Sequence, residues 1–296
     1  METIVGKTAG FCYGVKRAIE NTKKQLEKEK KIYCLGEIVH NSVVINDLKE
    51  KGIEFIEDIK EAKGKTIIRA HGVEKKIYEY ATKNNIDIED YTCPKVVMIH
   101  EKVNKYSKQG YYILLCGSKT HPENIGTISY CNNQCSNIEK EEDIELALNE
   151  AYKSKLNKIV LISQTTYSLK MFEQIEQTIK EKLDVNYELI IENTICKATQ
   201  IRQNETEELS KIVDMMIIIG GKNSSNTKKL YNISKVNIEN SICIEDILEI
   251  DGDIEEKILN SDKIGIMAGA STPDISIQEV VKNIKKLKTK NKNILN

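Results

Sequence analysis

The sequence predicts an α/β protein built from small, parallel-rich sheets. Six short apolar or β-branched runs each end in a polar loop, and an amphipathic helical segment follows each loop. This alternation is typical of parallel strands in α/β units, whose strands are buried on both faces. In chain order the runs are KIYCLG, KTIIRA, YYILLCG, KIVLIS, DMMIIIGG and KIGIMAG.

The loops after these six runs are rich in His, Ser, Thr, Asn and Glu. In open α/β folds, ligands bind beyond the carboxyl ends of the strands. The loops are therefore the predicted location of the functional groups, and we expect them to line one shared cavity.

A longer period divides the chain into three units. Each unit has a cysteine just before a predicted helix, then a polar residue at a constant offset, then a second polar loop. In that order the residues are Cys12, Cys93 and Cys196, then His40, His121 and Ser224, then His71, Thr165 and Ser271. The predicted domains are 13–92, 93–195 and 196–296, with the strand in 1–12 completing the third. Three similar α/β domains with small parallel-rich sheets, in a pseudo-threefold arrangement around a shared centre, are the expected architecture.

Composition narrows the classes of partner. The chain has 296 residues, of which 40% are hydrophobic and 30% charged, and its formal net charge is −1. This balance gives no overall attraction to nucleic acid or to an anionic membrane. We expect no membrane span and no signal peptide, and hence a cytoplasmic protein. In a reducing compartment the eight cysteines are expected to be core residues, ligands or nucleophiles rather than disulfides.

The three cysteines in register are the candidate metal ligands. A helix N-terminus favours the thiolate, which is the form that binds metal. Three thiolates from three equivalent domains suit a [4Fe–4S] cluster, one per chain, with one iron left open. Such an iron combines a Lewis acid with an electron donor.

The other five cysteines fall into two groups. Cys34, Cys116 and Cys243 lie in strand-like runs and are predicted to pack in the core. Cys131 and Cys135 form a CxxxC pair, but a zinc site needs two further ligands and none stands nearby. The role of this pair stays open.

Histidines and hydroxyl-rich loops predict an anion pocket. Three of the four histidines fall in the polar loops, whereas His100 lies in a helical stretch and is predicted to be structural. Imidazoles, hydroxyls, amides and backbone N–H groups before a helix suit phosphate recognition. GGKNSSN is not a P-loop, and an ordinary N-capped helix start remains the alternative for each hydroxyl loop. The candidate residues are His40, His71, His121, Ser224, Ser225, Asn226 and Ser271.

The loop THPEN adds a carboxyl group to this set. Glu123 follows His121 by two residues, and Pro122 fixes the backbone between them. Beside a diphosphate and a cluster, a carboxylic acid is a plausible proton source. The hydroxyl of Thr165 is suited to relaying a proton or holding a substrate oxygen.

These stretches together resemble the 4-hydroxy-3-methylbut-2-enyl diphosphate reductase family, also called LytB or IspH. The resemblance covers residues 10 to 274 and rests on GFCYGVKRAIE, EIVHN, AHGV, TCP, THPE, SQTT, GGKNSSN and AGASTPD. It implies three α/β domains around a central [4Fe–4S] cluster. It also implies the last step of the non-mevalonate isoprenoid route, in which two electrons and two protons convert the substrate to isopentenyl and dimethylallyl diphosphates, with loss of water.

The resemblance also implies a role for each candidate residue. Cys12, Cys93 and Cys196 match the cluster ligands, and Glu123 matches the proton donor. Thr165 matches the substrate-side hydroxyl. The residues that match contacts to the diphosphate are His40, His71, His121, Ser224, Ser225, Asn226 and Ser271. The expected electron donor is ferredoxin or flavodoxin.

Two other functions fit parts of the pattern. One is another three-domain [4Fe–4S] dehydratase of the quinolinate synthase kind, which would need carboxylate recognition and different loop motifs. The other is a cluster-based redox sensor acting through a partner or nucleic acid. No basic DNA-reading helix stands out in the sequence, and a sensor would leave the anion pocket without a purpose.

Overall fold

The computed structural model describes residues 2–29 and 31–295, and within them it contains three four-stranded sheets with flanking helices. The strands are β1 Glu2–Val5, β2 Ile32–Leu35, β3 Ile53–Ile56, β4 Thr66–Ile68, β5 Ile88–Asp90, β6 Tyr112–Cys116, β7 Cys135–Ile138, β8 Lys158–Ser163, β9 Glu188–Glu192, β10 Met215–Ile219, β11 Ser241–Ile244 and β12 Lys263–Ala268. The helices are α1 Tyr13–Leu26, α2 Ser42–Glu50, α3 Lys75–Lys83, α4 Pro94–Lys108, α5 Pro122–Ile128, α6 Ile144–Lys153, α7 Leu169–Lys182, α8 Lys197–Ser210, α9 Ser225–Asn237, α10 Gly252–Leu259 and α11 Asp274–Leu295.

All three sheets are parallel and share one strand order. The orders are β3-β2-β4-β5, β7-β6-β8-β9 and β11-β10-β12-β1. Register is also equivalent, because the last residues of the two inner strands face each other as Leu35 with Ile68, Cys116 with Ser163 and Ile219 with Ala268. The prediction of small parallel sheets in an α/β protein is therefore confirmed.

The six apolar runs of the sequence form the two inner strands of each sheet. These strands are buried along almost their whole length because helices cover both faces. The outer strands carry exposed and half-buried residues instead. Position in the sheet thus explains which strands show a continuous apolar pattern.

The first strand completes the third sheet. β1 pairs in parallel with β12, with Glu2 opposite Lys263 and Val5 opposite Ile266. It takes the outer position that β5 and β9 take in the other two sheets. The carboxyl end of β1 therefore leads straight to Cys12, as the ends of β5 and β9 lead to Cys93 and Cys196.

The chain forms two compact units. Unit 1 comprises 1–16, 39–50 and 197–296, and unit 2 comprises 17–38 and 51–196. Unit 1 contains the third sheet, and unit 2 contains the other two. The three-domain boundaries expected from the sequence stay a prediction.

Each unit has its own apolar core. In unit 2 the largest fully buried side chain is Phe172 of α7, which packs with Leu114, Leu161 and Ile175 against the second sheet. In unit 1, Ile217 and Ile266 of the inner strands pack against Val280 and Ile284 of α11. Among the helices of the described residues, none has the length and apolar run that crossing a membrane requires.

Candidate functional site

Three cysteines occupy equivalent positions at the starts of α1, α4 and α8. Each one directly precedes its helix, as the sequence predicts. The backbone N–H of each cysteine donates to a carbonyl in the loop after an inner strand, which is β12, β4 or β8. The bonds run from Cys12 to Ala270 at 3.1 Å, from Cys93 to Ala70 at 3.0 Å and from Cys196 to Thr165 at 3.0 Å. The acceptor lies two residues beyond the strand in every case. The same backbone hydrogen bond, called the cysteine mount below, therefore holds all three cysteines.

The equivalence of the three sheets changes one position of the repeat that was predicted from the sequence. His71 and Ser271 lie three residues beyond β4 and β12, and the residue three beyond β8 is Thr166 rather than Thr165. Thr165 instead matches Ala70 and Ala270, whose carbonyls hold a cysteine N–H. Thr165 therefore both supports Cys196 through its carbonyl and presents a side chain, a combination that Ala70 and Ala270 lack.

Within unit 2, the loops of the first two sheets bring His71 and His121 together. Their ring centroids are 5.3 Å apart, and the rings meet edge to face at 88°. Both side chains are half-buried. The sequence predicts both as site residues, and the structure makes them neighbours.

His121 is the N-cap of α5. Its Nδ1 accepts a hydrogen bond from the backbone N–H of Glu123 at 3.2 Å. A nitrogen that accepts from an N–H carries no proton, so the neutral ring has its proton on Nε2. Any contact of His121 with a bound anion is therefore made through Nε2–H, because Nδ1 caps the helix.

Glu123 is a buried acid in the first turn of α5, with 2% of its surface exposed. The backbone N–H of Thr165 donates to its Oε1 at 2.6 Å, and the Thr165 hydroxyl donates to its Oε2 at 2.6 Å. Burial raises the pKa of Glu123 to about 7, although the two bonds from Thr165 act in the opposite direction. Near neutral pH the group is poised to hold and release a proton.

The contacts of unit 2 form one continuous series. It runs from the mount of Cys93 through His71, His121, Glu123 and Thr165 to the mount of Cys196. Two candidate ligands are thus joined through the candidate anion contacts and the candidate acid.

Unit 1 holds His40 by its backbone. The Ser271 hydroxyl donates to the His40 carbonyl at 3.1 Å. Gly221 lies against the same carbonyl so closely that a Cβ there would sit 2.3 Å from the oxygen. Only glycine permits this approach, and Ser271 itself follows the mount of Cys12 by one residue. Within unit 1, the backbone of His40, Ser271 and the mount of Cys12 are therefore linked.

The start of α9 presents the remaining candidate contacts. Ser224 is the N-cap, and its Oγ accepts from the Thr227 N–H at 3.3 Å. Ser225 is half-buried in the first turn. Asn226 is 3% exposed, and neither its Nδ2 nor its Oδ1 has a hydrogen-bond partner within the part of the chain that the structure describes. A buried amide without partners costs stability, so Asn226 stays a candidate contact to a ligand.

Glu123 and Asn226 are equivalent residues of the repeat. Each lies seven residues beyond the end of an inner strand, β6 or β10, and each is nearly fully buried near the start of the helix that follows. One sheet thus places an acid where another places an amide.

Two side chains of α8 hold the loop that carries Cys12, and sequence reasoning did not identify them. Arg202 is 3% exposed and donates to the carbonyls of Thr8 at 2.8 Å and Gly10 at 2.9 Å. Glu205 accepts from the backbone N–H groups of Lys7 at 2.6 Å and Thr8 at 2.9 Å. These four bonds between charged side chains and backbone groups hold the loop in place.

Related contacts support the other two cysteines inside unit 2. Arg17 of α1 donates to the Thr92 carbonyl, next to Cys93, at 3.3 Å. Lys102 and Tyr106 of α4 each reach Glu192, at the end of β9, at 2.6 Å. The helix that follows each cysteine therefore hydrogen-bonds to the segment that leads to another of the three cysteines.

The strand cysteines have the opposite environment. Cys34 and Cys116 are fully buried in inner strands, as predicted. Burial raises the pKa of Cys34 to about 12 and that of Cys243, which packs against a core cluster from β11, to about 11. These thiols stay protonated, and none of the eight cysteines, all within the described ranges, is in a disulfide.

The donor set fits the two groups that the sequence implies. The three cysteines at helix starts are half-buried, so each thiol can reach both the protein interior and a bound group. The unpartnered amide of Asn226 and the Nε2 proton of His121 fit an anion of several oxygens. The candidate ligands therefore lie at helix starts, whereas Cys34 and Cys116, which are fully buried, lie in inner strands.

Fold and site define a class of α/β proteins with three like parallel sheets, helix-start cysteines and an acid buried beside loop histidines. The model of the family described as LytB protein matches residues 3–285, and the chain belongs to that family.

Curated relatives agree over nearly full length. The chain is 44% identical over 299 aligned residues to 4-hydroxy-3-methylbut-2-enyl diphosphate reductase of Caldanaerobacter subterraneus subsp. tengcongensis, covering 99% of this chain and 100% of that one. It is 43% identical to the enzyme of the same description from Thermoanaerobacter sp. strain X514, covering 97% and 98%.

Solved structures agree as well. The structure of E-1-hydroxy-2-methyl-but-2-enyl-4-diphosphate reductase from Plasmodium falciparum matches with a TM-score of 0.86 and 32% identity, covering 95% of this chain and 87% of that one. A structure of (E)-4-hydroxy-3-methyl-but-2-enyl diphosphate reductase, the terminal enzyme of the non-mevalonate pathway, matches at 38% identity and a TM-score of 0.68, covering 97% and 100%.

Proposed function

We propose that the protein is a 4-hydroxy-3-methylbut-2-enyl diphosphate reductase. It takes two electrons and two protons, removes the allylic hydroxyl as water and yields isopentenyl and dimethylallyl diphosphates. Membership of the LytB family supports this function. The observation that carries it is the series in unit 2 that joins two cysteines through a histidine pair and a buried acid.

Cys12, Cys93 and Cys196 are the proposed ligands of a [4Fe–4S] cluster. When bound, such a cluster supplies the two electrons one at a time and a Lewis-acidic iron. Ferredoxin or flavodoxin is the proposed electron source, and the cytoplasm is the proposed location. The role of the chain is to hold the three thiolates in place, which the repeated backbone mounts and the grip of Arg202 and Glu205 support.

The diphosphate is the proposed ligand of the histidine and hydroxyl loops. His121 donates from Nε2, because its Nδ1 is committed to the helix cap. Asn226 gains the partner that it lacks among the described residues. The remaining proposed contacts are His40, His71, Ser224, Ser225 and Ser271.

Glu123 is the proposed proton donor, and Thr165 is the proposed relay. In the ionised form both oxygens of Glu123 accept from Thr165. In the protonated form Oε1 still accepts from the backbone N–H, so the proton is on Oε2 and the second bond reverses, with Oε2–H donating to the Thr165 hydroxyl oxygen. Because Glu123 is 2% exposed, the shortest path for its proton runs through that hydroxyl. The proton completes the departing water, and a second proton goes to either end of the allylic fragment.

Activity on the diphosphate tests the proposal directly. We expect anaerobically purified protein with reconstituted cluster and a strong one-electron reductant to convert 4-hydroxy-3-methylbut-2-enyl diphosphate to both products, detected by mass spectrometry. The Glu123→Gln variant with the same iron content is the matched control. Absence of conversion by cluster-loaded protein would contradict the proposal, and conversion of a quinolinate precursor instead would favour the alternative dehydratase.

A further inference from the structure

Cys131 and Cys135 form a second pair of thiols, away from the cysteines that precede helices. Cys131 is fully buried three residues after α5, and Cys135 opens β7 and is half-buried. The two thiols are close enough for each to affect the pKa of the other. Both belong to one apolar cluster, with Ile113 and Val160 of the inner strands.

A tight turn connects the two cysteines. Asn132 and Asn133 both have left-handed backbones, with φ of 50° and 61°. Gln134 donates its N–H to the Cys131 carbonyl at 3.0 Å, closing the turn. Two consecutive left-handed residues define a tight turn that asparagine tolerates better than other side chains. The backbone of this turn therefore brings Cys131 and Cys135 close together.

A metal does not account for the pair. Within the described residues, no third His, Cys, Asp or Glu completes a metal-binding group with these two thiols. A structural zinc ion needs four ligands. Two thiols without further ligands are suited to a different reaction, which is bond formation with each other.

The environment makes the two thiols unequal. The hydrogen bond with Cys135 and burial both raise the pKa of the Cys131 thiol. The same hydrogen bond lowers the pKa of Cys135, which is also the more accessible sulfur. A reactive, accessible thiol beside a buried partner is the arrangement in which an attacking cysteine is followed by a resolving one.

We propose that Cys131 and Cys135 are a modification site that forms a reversible disulfide by exchange with a low-molecular-weight disulfide. The Cys135 thiolate attacks one sulfur of the disulfide RSSR and releases RS⁻, which takes up the proton that Cys135 lost. Cys131 then loses its proton, attacks the Cys135 sulfur of the mixed disulfide and releases the second RSH. In total, two protein thiols are oxidised to one disulfide, and RSSR is reduced to two RSH.

The modification would act on the helix that carries the candidate acid. Cys131 donates its N–H to the Ile128 carbonyl at 2.9 Å, and its thiol reaches the Thr127 carbonyl at 3.9 Å. The Thr127 hydroxyl in turn donates to the carbonyl of Glu123 at 2.8 Å. A disulfide at Cys131 therefore fixes the carboxyl end of α5, while His121 and Glu123 stand at the other end.

Peptide mapping tests the proposal on the intact, cluster-loaded protein. Trypsin cleaves after Lys119 and Lys140, and the peptide between them contains Cys131 and Cys135 and no other cysteine. The protein is equilibrated anaerobically in mixtures of reduced and oxidised glutathione, alkylated under denaturing conditions and digested. We expect this peptide to lose two hydrogen atoms and both alkylation sites as the oxidised fraction rises, and to recover them with dithiothreitol.

Variants separate the pair from single reactive thiols. Cys135→Ser should abolish the oxidised peptide, and Cys243→Ser, which removes another half-buried strand cysteine, should leave it unchanged. A peptide that stays doubly alkylated throughout, or that carries only a glutathione adduct on Cys135, would overturn the proposal. Because the wild-type protein gives the primary reading, a variant that fails to fold does not affect the test.

Discussion

Thr165 binds both oxygens of the Glu123 carboxyl group, one through its backbone N–H and the other through its hydroxyl, each at 2.6 Å. The same residue supports Cys196 through its carbonyl at 3.0 Å. One threonine therefore sets the position of the candidate acid, the side of the carboxyl group that carries the proton and the backbone of a candidate metal ligand.

Replacement of Thr165 should separate these tasks. Thr165→Val keeps the backbone bonds to Glu123 and Cys196 but removes the hydroxyl, so we expect turnover to fall by about 10²–10⁴-fold, the usual contribution of positioned proton transfer. Thr165→Ser retains the hydroxyl and should keep most of the activity. Steady-state kinetics with iron content measured in parallel checks this. Equal activity of the Val and Ser variants would exclude a relay through the hydroxyl.

Glu123→Gln should slow turnover to a similar degree without disturbing the cluster. The amide can accept from the Thr165 N–H and donate to its hydroxyl, so the geometry is preserved while the transferable proton is lost. The measurement is single-turnover kinetics together with the EPR spectrum of the reduced protein. An altered spectrum would assign the loss to the cluster environment, and normal turnover would remove Glu123 from the mechanism.

The buried acid should also give stability a pH dependence. Burial raises the pKa of Glu123 from the ordinary 4.5 to about 7 in the folded protein. The folded state then holds a proton that the unfolded state has released, so the contribution to stability is complete below pH 4.5 and decreases as pH rises to about 7. At about 1.4 kcal/mol per pKa unit, the decrease amounts to about 3 kcal/mol.

Comparison with Glu123→Gln isolates the pH-dependent contribution of the Glu123 carboxyl group to stability. The variant should be more stable than the wild type at pH 8 and gain little at pH 4, because glutamine carries no charge at either pH. Urea unfolding of the two cluster-loaded proteins at both pH values measures the difference. A stability difference that does not change with pH would show that the carboxyl group is not protonated on folding.

Asn226→Leu should raise the stability of the protein and weaken its binding of the diphosphate. The wild-type amide is buried without a partner among the described residues, so an apolar side chain of similar size should raise the free energy of unfolding by about 1–3 kcal/mol. Binding of the diphosphate should weaken by about tenfold or more, since a donor is lost. Thermal unfolding and the KM of the substrate are the two measurements.

Asn124→Leu is the matched control for this exchange. Asn124 is also fully buried near a helix start, but its Nδ2 donates to the Ser118 carbonyl at 2.9 Å. Its replacement leaves that carbonyl unpaired and should lower stability. If both leucine variants were destabilised alike, Asn226 would have a structural role instead.

Arg202→Met should weaken retention of the cluster. The change removes two hydrogen bonds to the loop of Cys12, at 2.8 and 2.9 Å, and leaves buried carbonyls unpaired. We expect faster iron loss to a chelator and a broadened EPR signal. Lys211→Met removes an exposed ion pair with Glu207 of α8 and should change neither the rate of iron loss nor the EPR signal. Equal rates of iron loss in the two variants would contradict a positioning role for Arg202.

The sequence identified the inner strands and missed most of the outer ones, for a physical reason. β2, β4, β6, β8, β10 and β12 are covered on both faces and read as continuous apolar runs. An outer strand such as β5 or β9 is half-buried, includes charged residues and has no clear period. Its place is set by pairing with an inner strand, which no local pattern encodes.

Candidate site residues were recognisable as residue types, whereas their connections were not. A histidine or serine in a polar loop stands out, but the cap at His121 and the double bond pattern of Thr165 depend on atoms distant in sequence. Arg202 and Glu205 read as an ordinary polar helix surface, although they hold a loop nearly two hundred residues away. The assigned roles of the site residues stay predictions until the variants are measured.

The pairing of β1 with β12 imposes an order on biogenesis. The first strand waits at the ribosome exit without its neighbour until Lys263–Ala268 has been translated, while the sheets of unit 2 already have all their strands. Cys12 reaches its mount on Ala270 only after that point. The proposed cluster site therefore acquires its Cys12 position late, and a chain truncated before Ala270 would lack the backbone partner of that cysteine.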